Sequence, residues 1–141
     1  MGLPNAGKTT LAKELAKALP AVHWNADEVR CNLNKDLSFS EADRIEQAKR
    51  MRFLCDTVEK SGFNAIADFV CPTPETRLAF GKAYTVWVDR IKNEESRFED
   101  TRMLFVPPVE FDIRYTAEMK AEDVIYSVRK GAQDGIFRRF R

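Results

Sequence analysis

Two hydrophobic patterns alternate along the chain: stretches with apolar residues three or four apart, and short runs where apolar residues follow one another. In "TLAKELAKAL", Leu11, Leu15, Ala18 and Leu19 share one helical face while Lys13, Glu14 and Lys17 fall elsewhere, and Pro20 stops the helix. "AVHWN" reads as a short strand, and "ADEVRCNLNK" as a helix whose Asp27 and Glu28 suit the positive end of its dipole. "SFSEADRIEQAKRMRFLCDTVEKSG" predicts a long amphipathic helix, capped by Ser40 and stopped at Gly62, with Ile45, Ala48, Met51, Cys55 and Val58 as its apolar stripe. "NAIADFV" is a buried-strand pattern ending near Cys71 and Pro72, "PETRLAFGK" a short helix, and "AYTVWV" another strand. "FDIRYT" is a last strand and "AEDVIYSVRKGA" a last helix, with Ala121, Val124, Ile125, Val128 and Ala132 on one stripe.

Strands alternating with helices predict an α/β fold, a mainly parallel sheet with helices on both faces. Between Asp89 and Glu110 the periodicity fades, and "RIKNEESRFEDTRMLFVPP" is rich in arginines and acids. A connection of that length works as a lid or carries a helix of its own.

Composition narrows the classes. The 141 residues, 44% hydrophobic and 32% charged, suit one domain over 1–141 with a single core. Lys and Arg number 23 against 22 for Asp and Glu, so a net charge of +1 offers no global field, and nucleic acid is not expected as a partner. No run approaches a membrane span, so no membrane partner is expected either. Cys31, Cys55 and Cys71 are odd in number and form no C-x-x-C pair, which argues against a disulfide framework or a zinc site and for a cytoplasmic setting. A homodimer is left open. The basic, aromatic tail "IFRRFR" reads first as a solvated or packed terminus.

The strongest chemical signal is Gly2 to Thr9, G-L-P-N-A-G-K-T, a full G-x-x-x-x-G-K-[ST] phosphate loop opening the first helix. Glycines at 2 and 7 let successive N–H groups turn inward on nucleotide phosphates, with Pro4, Asn5 and Ala6 between them and Thr10 following. Lys8 reaches the β and γ phosphates and Thr9 offers its hydroxyl to Mg²⁺. The expected cofactors are ATP and Mg²⁺. Such a loop normally follows a buried strand, yet only Met1 precedes it, so the first, central strand is expected to be missing from this N-terminus. The preferred reading takes Met1 as an internal methionine or the start of a shortened chain rather than a strandless variant.

Two acids compete for the metal and the acceptor. Asp27 stands just past the end of a strand, where open α/β sheets bind ligands, and could accept a hydroxyl proton or hold Mg²⁺ through water; a plain helix-start acid is an equal reading. Asp68, a charge inside "AIADF", is costly unless paired or linked to a metal. Arg30, Arg44 and Arg77 follow different strand-to-helix regions and could converge on an anion, although each alone reads as a surface arginine. His23, the lone histidine, excludes histidine-cluster metal sites and reads as structural. Phe39, Phe98 and Phe105 lie in polar surroundings where a ring could stack on a base, with core packing as the default.

Over Gly2 to about Arg77 the chain resembles the adenylylsulfate kinase family, which moves the γ-phosphate of ATP to the ribose 3′-hydroxyl of adenylylsulfate in sulfate assimilation. "GLPNAGKTTLAKEL" is similar to its phosphate loop and first helix. "NADEVRCNLNKDLSFSEADR" is similar to its D-G-D-x-x-R, D-L-G-F-S and D-R block, and "VCPTPETR" to its I-S-P segment followed by arginine. The resemblance implies Lys8 and Asp27 as catalytic residues. It implies Arg30, Phe39, Arg44 and Gln47 on the nucleotide-like acceptor, with Phe98 as a second stacking ring and Arg90 or Arg97 as the lid arginine. Asn25 replaces the first acid of D-G-D, Ser38 the glycine of D-L-G-F-S, Gln47 the Asn after D-R and Cys71 the Ser of I-S-P, and no R-D-P-K-G-L-Y lid segment is present. These departures fall on acceptor recognition and leave two further readings open: a kinase of another nucleotide, base or sugar hydroxyl, and a nucleotide-binding module without transferase activity.

Overall fold

The computed structural model describes residues 1–91 and 99–134. Among these residues ten elements follow in order: α1 (Lys8–Ala18), β1 (Ala21–Asn25), α2 (Ala26–Asn32), α3 (Glu41–Lys60), β2 (Asn64–Asp68), α4 (Pro74–Phe80), β3 (Val86–Asp89), α5 (Glu99–Leu104), β4 (Ile113–Thr116) and α6 (Ala121–Gln133). Local chemistry sets most boundaries. Gly7 caps α1 in the left-handed conformation, Asn25 caps α2 by accepting from Asp27 and Glu28, Ser40 caps α3, and Thr73 with Thr76 forms a capping box ahead of α4.

The strands are all parallel, as alternation with helices demands, but they form two ladders rather than one sheet. β1 pairs with β2, with Asn25 opposite Asp68, and β3 pairs with β4. Residues 1 and 2 lie between the ladders: Gly2 N donates to Val70 O at 3.3 Å on one side, and Val88 N donates to Met1 O at 2.8 Å on the other. A single Gly2–Val88 bridge is too short to merge the ladders, and it explains the first glycine, because a Cβ there would overlap the Val88 carbonyl oxygen.

Two apolar clusters cover the opposite faces. Leu11 and Leu15 of α1 pack with Val88, Tyr115 and Val124, bringing α1 and α6 onto one face. Ala26, Val29 and Met51 gather Trp24, Ala67, Phe69 and Phe80 on the other, under α2, α3 and α4. Period-2 alternation therefore turns His23, Asn25, Ile66 and Asp68 toward the α1 side and Trp24 and Ala67 away from it. Asp68 does not sit mid-strand, as the apolar run suggested; it ends β2, with its side chain directed at the start of α1. The 89–110 connection contains a helix of its own, α5, which buries none of its residues.

Candidate functional site

The phosphate loop is held in shape by glycine geometry and by short polar contacts. Gly7 has φ 94°, a conformation that leaves a Cβ strained although open space surrounds it, and Asn5, tolerant of the same region, has φ 62°. Ala6 is buried in the core and anchors the loop from below, while Thr10 faces solvent on α1. Lys8 donates through Nζ to Leu3 O at 2.7 Å, folding back over the loop. Burial lowers its pKa, and the negative charges of Asp68 and Asp27 oppose that shift. One ammonium group is thus within electrostatic reach of both candidate acids.

Asp68 is buried and collects three contacts on one oxygen. Oδ2 accepts from the Thr9 hydroxyl at 2.7 Å and from Asn25 Nδ2 at 2.9 Å, and His23 Nε2 lies 3.2 Å away. Asn25 Nδ2 also donates to Thr9 Oγ1 at 3.1 Å. The other end of the same amide, Oδ1, accepts from the main-chain N–H groups of Asp27 and Glu28, each at 3.0 Å. The Thr9 proton is committed to Asp68 and one lone pair to Asn25, which leaves the second lone pair as the hydroxyl's remaining acceptor.

Beyond Asp27 the acceptor candidates come together. Arg30 places its guanidinium 4.5 Å from the Phe39 ring centroid and donates to Ser38 O at 2.7 Å. Arg44 lies 5.4 Å from the same centroid and donates to Phe39 O at 3.0 Å and to the Thr101 hydroxyl of α5 at 3.1 Å. Partial burial lowers both guanidinium pKa values; Asp27 and Asp43 oppose the shift on Arg30, and the charge of Arg30 adds to it on Arg44. Asp43 shapes the loop between α2 and α3, taking both the main-chain N–H and the hydroxyl of Ser38. Phe39 itself is 65% exposed, so its ring is presented rather than packed.

Other candidates are placed elsewhere. Gln47 is buried, donating to Ala26 O at 3.2 Å and accepting from Asn34 Nδ2 at 2.7 Å, so its amide joins α3 to α2 beneath the exposed residues. Arg77 does not converge with Arg30 and Arg44: it donates to the carbonyls of Cys71, Pro72 and Val106 and covers the Phe105 ring, tying the segment after α5 to the end of β2. Arg90 donates to Thr116 O and Met119 O and stacks on Tyr115. Phe98 and Arg97 lie outside the described residues. Thr101 escaped the sequence reading because a lone threonine in a short exposed helix carries no signal; Asn25 had one, since an Asn before A-D-E is a helix cap.

The model of the adenylylsulphate kinase family matches residues 1–94, which covers the loop, both acids and the Arg30–Phe39–Arg44 group. The chain belongs to this family. It is 31% identical over 144 residues to an adenylyl-sulfate kinase of Emericella nidulans, covering 99% of this chain and 65% of that one. An adenylyl-sulfate kinase of Chloroflexus aurantiacus is 38% identical over 81 residues, covering 54% of this chain and 44% of its own length. The chain spans about half the length of such curated relatives. In three dimensions it resembles the Mycobacterium tuberculosis APS kinase solved in complex with AMPPNP and APS, with a TM-score of 0.77, 20% identity and 94% of each chain covered, which shows the fold. Among the described residues no helix is long and apolar enough to cross a membrane.

Proposed function

We propose that the chain is an ATP-dependent phosphotransferase of the adenylylsulfate kinase type, moving the γ-phosphate of ATP to the ribose 3′-hydroxyl of adenylylsulfate. The observation that carries this reading is the place of Asp27: it opens α2 beside Asn25, whose amide binds both Thr9 of the phosphate loop and the Asp27 main-chain N–H, and Arg30 follows one turn later on the same helix. A carboxylate so placed stands between a phosphate cradle and a cationic, aromatic acceptor surface.

Residues 2–10 take the ATP phosphates, with Lys8 leaving Leu3 O for the β and γ oxygens. The remaining lone pair of Thr9 and, through water, the carboxylate of Asp27 fit Mg²⁺, which when bound would neutralise charge on the phosphates. Asp27 accepts the acceptor hydroxyl's proton as that oxygen bonds to the γ-phosphorus and the bond to the β–γ bridging oxygen breaks, releasing ADP. Arg30 and Arg44 meet the acceptor's anionic groups, and the exposed Phe39 ring stacks on its base.

Incubation with Mg-ATP and adenylylsulfate tests the reading, with Lys8→Ala as the control. Acceptor-dependent ADP release lost in that variant is the expected result; no turnover above the control ends it. A second reading, a different hydroxyl acceptor, draws on Arg30, which already covers Phe39, and on Thr101, which adds a hydroxyl to the acceptor side. A screen of nucleotide, nucleoside and sugar acceptors for ADP release separates the two. Binding of ATP with no acceptor-dependent release marks a binding module instead.

A further inference from the structure

Asn25 and Asp68 are register partners at the ends of two adjacent parallel strands, and both side chains face the phosphate loop. They share Thr9: the hydroxyl donates to Asp68 Oδ2 at 2.7 Å and accepts from Asn25 Nδ2 at 3.1 Å, and the amide closes the triangle on Asp68 Oδ2 at 2.9 Å. The amide's orientation is fixed, because its oxygen already accepts two main-chain N–H groups of α2. Only a side chain with a donor at one end and an acceptor at the other satisfies all four contacts.

A carboxylate at position 25 would still cap α2 but would bring a second negative charge against Asp68, in place of a donor. An amide at position 68 facing an amide at 25 would leave the Thr9 hydroxyl without a charged acceptor. With the two side chains exchanged, one charge and one donor remain, moved by about one strand spacing of ~4.8 Å.

Resting on the nucleotide reading above, we propose that Asn25 and Asp68 are a one-charge pair that orients the Thr9 hydroxyl for the metal–nucleotide complex. The function of the pair depends on there being one carboxylate across the two strand ends, not two and not none. Asn25 is then a positioning residue. Its amide also carries the position of the nucleotide loop to the first turn of α2, and hence to Asp27.

The test is a mutant cycle of Asn25→Asp, Asp68→Asn and the double exchange, read by titration calorimetry of ATP with Mg²⁺ and with EDTA and by thermal melting without nucleotide. Each single variant is expected to weaken Mg-ATP binding by about tenfold, the order of one lost charge-assisted hydrogen bond. Binding of ATP in EDTA should change less, which a merely structural role would not produce. The double exchange should return Mg-ATP affinity to within about threefold of the parent, a non-additivity expected of neighbours in direct contact. In metal-free melts, adding Asp68→Asn should raise the melting temperature of Asn25→Asp. Additive losses, equal losses with and without Mg²⁺, or an Asp68→Asn variant with unchanged affinity would overturn the pair. If the parent binds no Mg-ATP at all the nucleotide reading fails, and the metal-free melts then decide the coupling alone.

Discussion

The Arg44 guanidinium donates through Nη2 to the Thr101 hydroxyl, 3.1 Å away, joining α3 to α5 across 57 positions of sequence. The same arginine faces the Phe39 ring, so a short helix that buries none of its residues is tied to the Arg30–Phe39–Arg44 group. Thr101→Val keeps the shape and removes the hydroxyl. The KM for the acceptor should rise about 5-fold, the scale of one partly exposed hydrogen bond, with the KM for ATP unchanged. Thr101→Ser should restore it. An equal rise in both constants would show that α5 acts on folding rather than on Arg44.

Phe39 invites the opposite contrast between binding and stability. Because its ring is 65% exposed, Phe39→Ala should change unfolding free energy by no more than about 0.5 kcal/mol in urea. Loss of a stacking partner should raise the acceptor KM by at least about tenfold, within the ~1–3 kcal/mol that a base gains on a ring. Phe39→Trp should bind at least as well as the parent. Full acceptor affinity in the alanine variant would assign the ring to shielding Arg30 and Arg44 instead.

The sequence showed those elements whose signals are local. Of the stripe Ile45, Ala48, Met51, Cys55 and Val58, the middle three are buried and the outer two half-buried, and the cap at Ser40 stands where the chain turns into helix. The order of Asp27, Arg30, Phe39 and Arg44 was visible because each lies on or beside α2 and α3, so short-range geometry brings them together. Long-range partners were not visible. Arg77 looked like an acceptor arginine by position, yet it is spent on Val106 and Phe105, which a proline-rich loop delivers from 29 positions away. Arg90 is likewise taken by carbonyls at the end of β4 and just after it. A guanidinium is claimed by whatever carbonyls the fold brings to it, and no spacing rule reports that.

Gln47, which the family resemblance set on the acceptor, carries a structural load instead. Its amide is buried, donating to Ala26 O and accepting from Asn34 Nδ2, and Asn34 in turn is 3.3 Å from Arg50 Nη1. Gln47→Ala removes the side-chain donor from the Ala26 carbonyl and leaves the buried Asn34 amide without its acceptor. Destabilisation of about 2–3 kcal/mol is expected from chemical denaturation, from two buried polar groups losing partners. The Kd for Mg-ATP, measured well below the unfolding transition, should stay within about twofold, the limit of an effect transmitted only through packing. A loss under 0.5 kcal/mol, the range of a surface change, would mean that water replaces the amide.

Cys55 gives the fold a pH signature. Burial on the inner face of α3 pushes its thiol pKa up to about 12, with Glu59 and Asp56 adding to the shift and Arg52 opposing it. An unfolded thiol releases its proton near pH ~8.5, so above that value the folded chain holds more protons than the unfolded one. Stability from this group is therefore complete below about pH 8.5 and falls as pH rises toward the folded pKa, by up to about 1.4 kcal/mol per unit. Lys8 acts with the opposite sign, since burial lowers its pKa and the unfolded chain then binds the extra proton; Cys71 and Tyr84, both raised, act with the same sign as Cys55. The difference between the parent and Cys55→Ala isolates the thiol: the cost of the substitution should shrink between pH 8 and 10 in urea titrations. In the native state a maleimide should label the exposed Cys31 quickly and reach buried Cys55 and Cys71 only on unfolding. A pH-independent cost, or fast native labelling of Cys55, would show that α3 opens from its neighbours far more readily than its packing implies.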